Sequence, residues 1–173
     1  MEPQPINVSE IIDRLRVIKL RLSKRVKEME TRYRELFEQV VKAHMEKDQV
    51  KAAIYAEELA ELRKMLRRLT HASLLLEGVT YRLDAVKDLS DASSIMAPLR
   101  DVLTVASSEL SGIAPTASDE LRKLINSVED LSIRVGYVSE PGGISTELSE
   151  EAKKILEEAS AIAAQRNREK GKV

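Results

Sequence analysis

Two long stretches in which apolar residues return every third or fourth position constrain this chain more than any other feature. In the first, Ile11, Leu15, Ile18, Leu22, Val26, Met29, Tyr33, Leu36, Val40 and His44 fall on one helix face. In the second, Tyr55, Leu59, Leu62, Leu66, Leu69, Ser73, Leu76, Val79, Leu83 and Val86 repeat the pattern. Between them, Glu46-Lys47-Asp48-Gln49 interrupts the period. Each stripe is one face wide, so each helix needs a partner to cover it, and the short connection makes the partners antiparallel. At a rise of about 1.5 Å per residue, helices of this length reach about 55 to 60 Å, longer than usual in a globular domain. The spacing therefore predicts an extended helical hairpin over residues 9–88.

Ser9 is the expected N-cap, with Glu10 and Asp13 where negative charge suits the helix dipole. Just past the tip, Ala52, Ala53, Ala56 and Ala60 are small enough to let the two backbones approach closely. Beyond Lys87, Ser90, Asp91, Ser93 and Ser94 interrupt the pattern, and Pro98 cannot supply the N–H of a continuous helix. An apolar face resumes at Ile95, Leu99, Val102, Leu103, Ala106 and Leu110 and ends at Gly112-Ile113-Ala114-Pro115. Another follows at Leu121, Leu124, Ile125, Val128, Leu131 and Val135, closed by Gly136. These read as short helices with hinges over residues 90–136, completing a helical core of residues 9–136.

Pro141-Gly142-Gly143 marks a flexible linker at 137–144. A helix over 145–165 follows, with an acidic start at Glu147, Glu150 and Glu151 and a weak apolar stripe of Leu148, Ala152, Ile155, Ala159 and Ile162. Residues 1–8 are expected to be disordered and residues 166–173 frayed. No segment reads as a strand, so the fold class is all-α.

Composition narrows the chemistry. Aromatic residues make up 3% of the chain, with one Phe and no Trp, which leaves little to line a small-molecule pocket. There is no Cys, hence no disulfide and no thiolate metal site. His44 continues the apolar stripe and is expected in the core or at the tip, His71 lies outside it, and neither has carboxylates at metal-ligand spacing. With no glycine-rich phosphate loop and no Ser-His-acid pattern, neither an enzyme nor a cofactor is expected. No apolar run has the 18 or more residues that a membrane span needs.

Net charge is −1, but its distribution is uneven. Between Arg14 and Arg34 stand nine cations, Arg14, Arg16, Lys19, Arg21, Lys24, Arg25, Lys27, Arg32 and Arg34, against two acids, Glu28 and Glu30. They cover most of the solvent arc of the first helix. Near an anionic leaflet each contributes at most about 1 kcal/mol, so a monomer binds weakly and a polymer strongly. The alternative is a solvated face paired with acids on neighbouring helices. Phosphates would also attract these cations, but the one aromatic among them, Tyr33, lies on the apolar stripe, so no nucleic-acid partner is expected. A second basic patch, Arg63, Lys64, Arg67 and Arg68, lies near the acids Glu57, Glu58 and Glu61. Such blocks of opposite sign suit staggered contacts between copies, or else pair within the chain for a few tenths of a kcal/mol each, roughly.

The layout of a basic long helix, an antiparallel partner, a hinge, short helices and an acidic tail resembles ESCRT-III proteins. More specifically, the chain resembles the archaeal CdvB cell-division family. The matching words are Ile54-Tyr55-Ala56-Glu57-Glu58, Leu62-Arg63-Lys64-Met65, Arg82-Leu83-Asp84 with Val86, Gly112-Ile113-Ala114-Pro115, and Ala152-Lys153-Lys154-Ile155-Leu156-Glu157-Glu158-Ala159. The resemblance covers about residues 10–165. It implies a cytoplasmic protein, peripheral at the inner membrane surface of the division site, that polymerises with itself and with paralogous subunits and constricts the membrane. It also implies a switch between closed monomer and open polymer, and disassembly by an AAA-type ATPase, directly or through a co-assembled paralogue. In that reading the nine cations bind membrane, the second patch mediates self-assembly, and residues 145–165 hold the closed state. The chain departs from longer members in having no winged-helix domain after the tail and no clear ATPase-docking segment, as expected of a short paralogue or of a piece of a longer chain. The rival reading is a soluble helical adaptor or coiled-coil scaffold without membrane activity.

Overall fold

A computed structural model describes residues 7–85, 89–134 and 148–171. All its regular structure among these residues is helical: α1 (Val8–Met45), α2 (Gln49–Asp84), α3 (Leu89–Leu110), α4 (Pro115–Arg134) and α5 (Glu150–Lys170). This is the all-α, ESCRT-III-like arrangement. The chain divides into two compact units, Met1–Gly142 with α1 to α4 and Gly143–Val173 with α5.

In the first unit, α1 and α2 are 38 and 36 residues long. They form the expected hairpin, about 55 Å from end to end. The cap of α1 is Asn7 rather than Ser9: the Asn7 side chain accepts from the backbone N–H of Glu10 at 2.9 Å. Asn and Ser cap about equally well. The earlier start adds Val8 to the helix, where it packs against the core. At the tip, Lys47 N–H donates to His44 O and Asp48 N–H to Ala43 O, the paired bonds of a Schellman turn. Asp48 then caps α2 by accepting from Lys51 N–H. Lys47 adopts φ +62°, the left-handed position that glycine normally fills. Lys47→Gly is therefore expected to stabilise the first unit by about 0.5 to 1 kcal/mol, read as a rise in its urea midpoint with an unchanged slope.

The core lies at the open end of the hairpin. Ile11, Leu15, Ile18, Leu22 and Met29 of α1 meet Leu69, Ala72, Leu76, Val79 and Leu83 of α2. Leu99, Leu103, Ala106 and Leu110 of α3 and Leu121, Leu124 and Val128 of α4 close the cluster. Towards the tip the interface thins to Ala43 and Leu59 as its buried residues. Register corrects two stripe positions: beside the tip Ala43 is buried and His44 is exposed, and in the core Ala72, not Ser73, is fully enclosed. Of the four alanines after the tip, Ala52 is half-buried while Ala53, Ala56 and Ala60 are exposed. Helical spacing turns the last three to the outer arc, so they do not bring the backbones together.

Pro98 does not divide the third segment; α3 runs through it as one helix. A lost backbone bond weakens a helix locally, but Leu99, Leu103, Ala106 and Leu110 bury one continuous face on α2 and α4, which holds it together. Gly112, at φ +84°, makes the turn into α4, and Pro115 begins that helix where a missing N–H costs nothing. The corner is also pinned by a buried pair: Ser118 Oγ donates to Ser107 O at 2.9 Å, and Ser107 Oγ to Ser118 O at 3.2 Å. Val86, Ile95, Val135, Gly136 and the expected linker at 137–144 lie outside the residues whose side chains are described.

In the second unit, Ser149 caps α5 by accepting from Ala152 N–H, with Glu150 and Glu151 in the first turn and Arg168 and Lys170 in the last. This charge order follows the helix dipole. The helix continues to Lys170, five residues past the boundary read from the sequence.

Candidate functional surfaces

The basic segment of α1 lies in the hairpin half that carries the core, so its cations stand on a rigid element. Arg14, Arg16, Arg21, Lys24, Arg25, Lys27, Arg32 and Arg34 are exposed and Lys19 is half-buried. They do not act as one set. Arg21 is ion-paired with Glu120, tying α1 to α4, and Arg16 lies 3.4 Å from Asp84, tying it to the end of α2. Arg25 faces Glu28 at 3.5 Å within α1, and Arg34 donates to Thr31 Oγ1. Arg14, Lys19, Lys24, Lys27, Arg32 and Arg34 have no ion pair among the described residues. Part of the basic face is thus taken up by internal pairing, and six of its nine cations carry no ion pair among the described residues.

The second patch divides as well. Arg63 reaches across the hairpin to hydrogen-bond the Tyr33 hydroxyl, its guanidinium 5.5 Å from the ring centroid. It serves the hairpin itself. Lys64 pairs with Glu61 on its own helix at 2.9 Å, while Arg67, Arg68, Glu57 and Glu58 are exposed without such partners among the described residues. The sequence pattern also gave no notice of a tie between α2 and α3: His71 Nδ1 lies 2.6 and 2.7 Å from the two Glu109 carboxylate oxygens. Lower on α2, the Tyr81 hydroxyl donates to Glu77, whose hydrogen bond and negative charge hold the phenol above its ordinary pKa.

Near the tip the hairpin also exposes apolar surface. On α1, Phe37, Val41 and Met45 recur every fourth residue and are 47%, 37% and 77% exposed. On α2, Val50, Ile54 and Met65 share a face and are 71%, 58% and 41% exposed. In helical rotation the α1 strip runs about 80 to 160° ahead of its buried stripe and the α2 strip about 100° behind its own. Offsets of opposite sign in an antiparallel pair put the two strips on opposite flanks of the hairpin. The sequence signal for both strips is a second apolar series at helical spacing, off the main stripe of each helix.

Of the expected tail stripe, Ile155, Ala159 and Ile162 on α5 are exposed and Ala152 is half-buried, while Leu148, also exposed, precedes the helix, which starts at Glu150 rather than 145. Leu156, next to the stripe, is also exposed. Among the described residues no helix is long and apolar enough to cross a membrane, and no cluster of three His, Asp or Glu is placed to hold a metal ion.

No family profile matches this sequence, and no solved structure matches it. Curated proteins do. Over 157 residues, 91% of this chain and 73% of the relative, it is 40% identical to Cell division protein B1 of Sulfolobus acidocaldarius. Over 162 residues it is 33% identical to Cell division protein B of the same organism, of which it spans 62%. Identity at that level along nine-tenths of a chain with this helical order means that the protein belongs to the archaeal CdvB-like cell division protein B family.

Proposed function

We propose that this protein acts in archaeal cell division as a peripheral membrane protein that self-assembles through its hairpin. The reading rests on the names of the relatives and on one structural observation above all, the six cations between Arg14 and Arg34 that carry no ion pair among the described residues. Arg14, Lys24, Lys27 and Arg32 suit an anionic leaflet, each contributing about 1 kcal/mol at most, while copies joined along the hairpin multiply that weak term. Two dissimilar apolar strips on opposite flanks support the assembly half. A contact between unlike surfaces whose rotation does not close a ring repeats into a filament. The α5 stripe is the proposed clasp for the unassembled state, because Ala152, Ile155, Ala159 and Ile162 are small or few enough that docking them would bury little area, and a small docking energy is readily reversed. Disassembly would fall to an AAA-type ATPase acting on the polymer, directly or through a paralogue. No step requires catalysis by this chain.

Co-sedimentation with anionic and neutral vesicles across salt concentrations, with the pellets viewed by negative-stain electron microscopy, tests the reading. Pelleting is expected on anionic vesicles only and to fall with salt. Replacing Arg14, Lys24, Lys27 and Arg32 by Gln is expected to weaken it by at least about tenfold. Removing residues 145–173 is expected to increase both pelleting and filaments. A chain that stays soluble and unassembled in both lengths would return the balance to an adaptor, and unchanged behaviour on truncation would remove the clasp.

A further inference from the structure

The outer arc of α1 carries two apolar side chains that the hairpin does not use. Val17 is 47% exposed and Leu20 is 72% exposed, one turn apart and on the side away from the Ile11-Leu15-Ile18-Leu22 stripe. Leaving a leucine that open in the middle of a basic helix gains nothing for the fold. Val17 also lines a shallow groove of about 370 Å³ between α1 and α4, bounded by Asp13, Arg14, Ile18, Glu120 and Lys123.

The charges around this patch indicate its occupant. Its acids are already answered within the chain: Asp13 lies 4.0 Å from Arg16, and Glu120 is ion-paired with Arg21. Its cations are not: Arg14, Lys24, Lys27 and Lys123 have no ion pair among the described residues. Lys24 stands one turn beyond Leu20, and Lys27 one turn beyond Lys24. An apolar centre with an uncompensated basic rim repels a second copy of itself. It matches a surface that offers anionic phosphates above hydrocarbon. We propose that Val17 and Leu20 form an apolar wedge that enters the interfacial layer of an anionic bilayer, with Arg14, Lys24, Lys27 and Lys123 on the surrounding lipid phosphates. The proposal rests on the membrane-binding reading and sharpens it from surface attraction to insertion.

The two modes respond differently to salt, since screening weakens charge contacts between exposed groups and leaves apolar burial in place. The chain contains no Trp, so Leu20→Trp creates a single fluorescent reporter at the centre of the wedge. Added to vesicles of equal parts phosphatidylglycerol and phosphatidylcholine, this variant is expected to shift its emission to the blue. It is expected to lose emission when the acyl chains carry bromine. Val17→Ser with Leu20→Ser, both at exposed positions, is expected to weaken binding about tenfold and to abolish the fraction that survives high salt. Lys24→Gln with Lys27→Gln should lower binding at low salt and leave that resistant fraction.

Pelleting of Leu20→Trp without quenching by brominated chains would overturn the wedge while leaving electrostatic membrane binding intact. A blue shift without vesicles would assign the patch to self-association and likewise overturn it. Failure of the unmodified chain to bind the vesicles at all would instead overturn the membrane-binding reading on which the wedge depends.

Discussion

Val50→Ser combined with Ile54→Ser is expected to abolish filament formation at concentrations where the unmodified chain assembles, with no loss of folding stability. Both residues are more than half exposed near the hairpin tip, away from the four-helix core, so their replacement opens no cavity. Burying Val and Ile at a contact between copies is worth about 1.5 to 3 kcal/mol each, and serine forfeits most of it. Even a partial loss of about 3 kcal/mol lowers subunit affinity roughly a hundredfold. Phe37→Ser with Val41→Ser should have the same effect from the other flank. Mixing the two variants makes the geometry falsifiable. Each keeps one intact strip, so the unlike strips can meet once and no further. Light scattering and electron microscopy should then show pairs without filaments. Filaments from either variant alone would remove these strips from the assembly contact and return attention to the exposed charges Glu57, Glu58, Arg67 and Arg68.

Leu103→Ala carries the largest expected effect on stability. Leu103 is 0% exposed on α3, within the cluster that joins all four helices of the first unit. Truncating a leucine enclosed on all sides costs about 2 to 5 kcal/mol, a large share of a typical stability of about 5 to 15 kcal/mol. For a unit of this size that corresponds to a fall in Tm of about 10 °C, readable by circular dichroism. Leu20→Ala on the outer arc is the matched control. Alanine favours the helix and Leu20 packs on nothing in the unit, so Tm should hold within about 2 °C. A small loss at Leu103 would mean that α3 and α4 contribute little to the hairpin's open end.

Much of this arrangement was legible from residues. The stripes of α1 and α2 follow from apolar spacing alone, because a helix with one wet face and one dry face sorts its own sequence. The tip at Glu46 to Asp48 and the turn at Gly112 follow from the interruption of that spacing and from glycine's freedom at positive φ. The misplacements have a common cause. Steps of three and four cannot choose between adjacent positions, so His44 was preferred to Ala43 and Ser73 to Ala72. The decision belongs to neighbours that periodicity does not contain. With α3 packed on α2, a methyl group at Ala72 fits where the helices approach closely, and Ser73 stays half-buried. Pro98 shows the opposite failure, a strong local signal outweighed by the buried face that follows it at Leu99, Leu103, Ala106 and Leu110.

The functional surfaces divide in the same way. A cluster of nine cations is visible in the sequence, and so is its bias to the first helix. Which of them remain available is not, since pairing depends on residues distant along the chain. Arg16 meets Asp84 and Arg21 meets Glu120, 68 and 99 positions away, while Arg63 turns inward to Tyr33 across the hairpin. The exposed strips near the tip and the Val17-Leu20 patch appear only once the buried stripes are assigned, because an apolar residue is notable only when nothing covers it. The sequence alone determined the helices, their antiparallel order and the basic bias of α1, all of which depend on local spacing. Tertiary packing decided register, pairing and exposure, because each depends on which side chain from elsewhere in the chain occupies the neighbouring space.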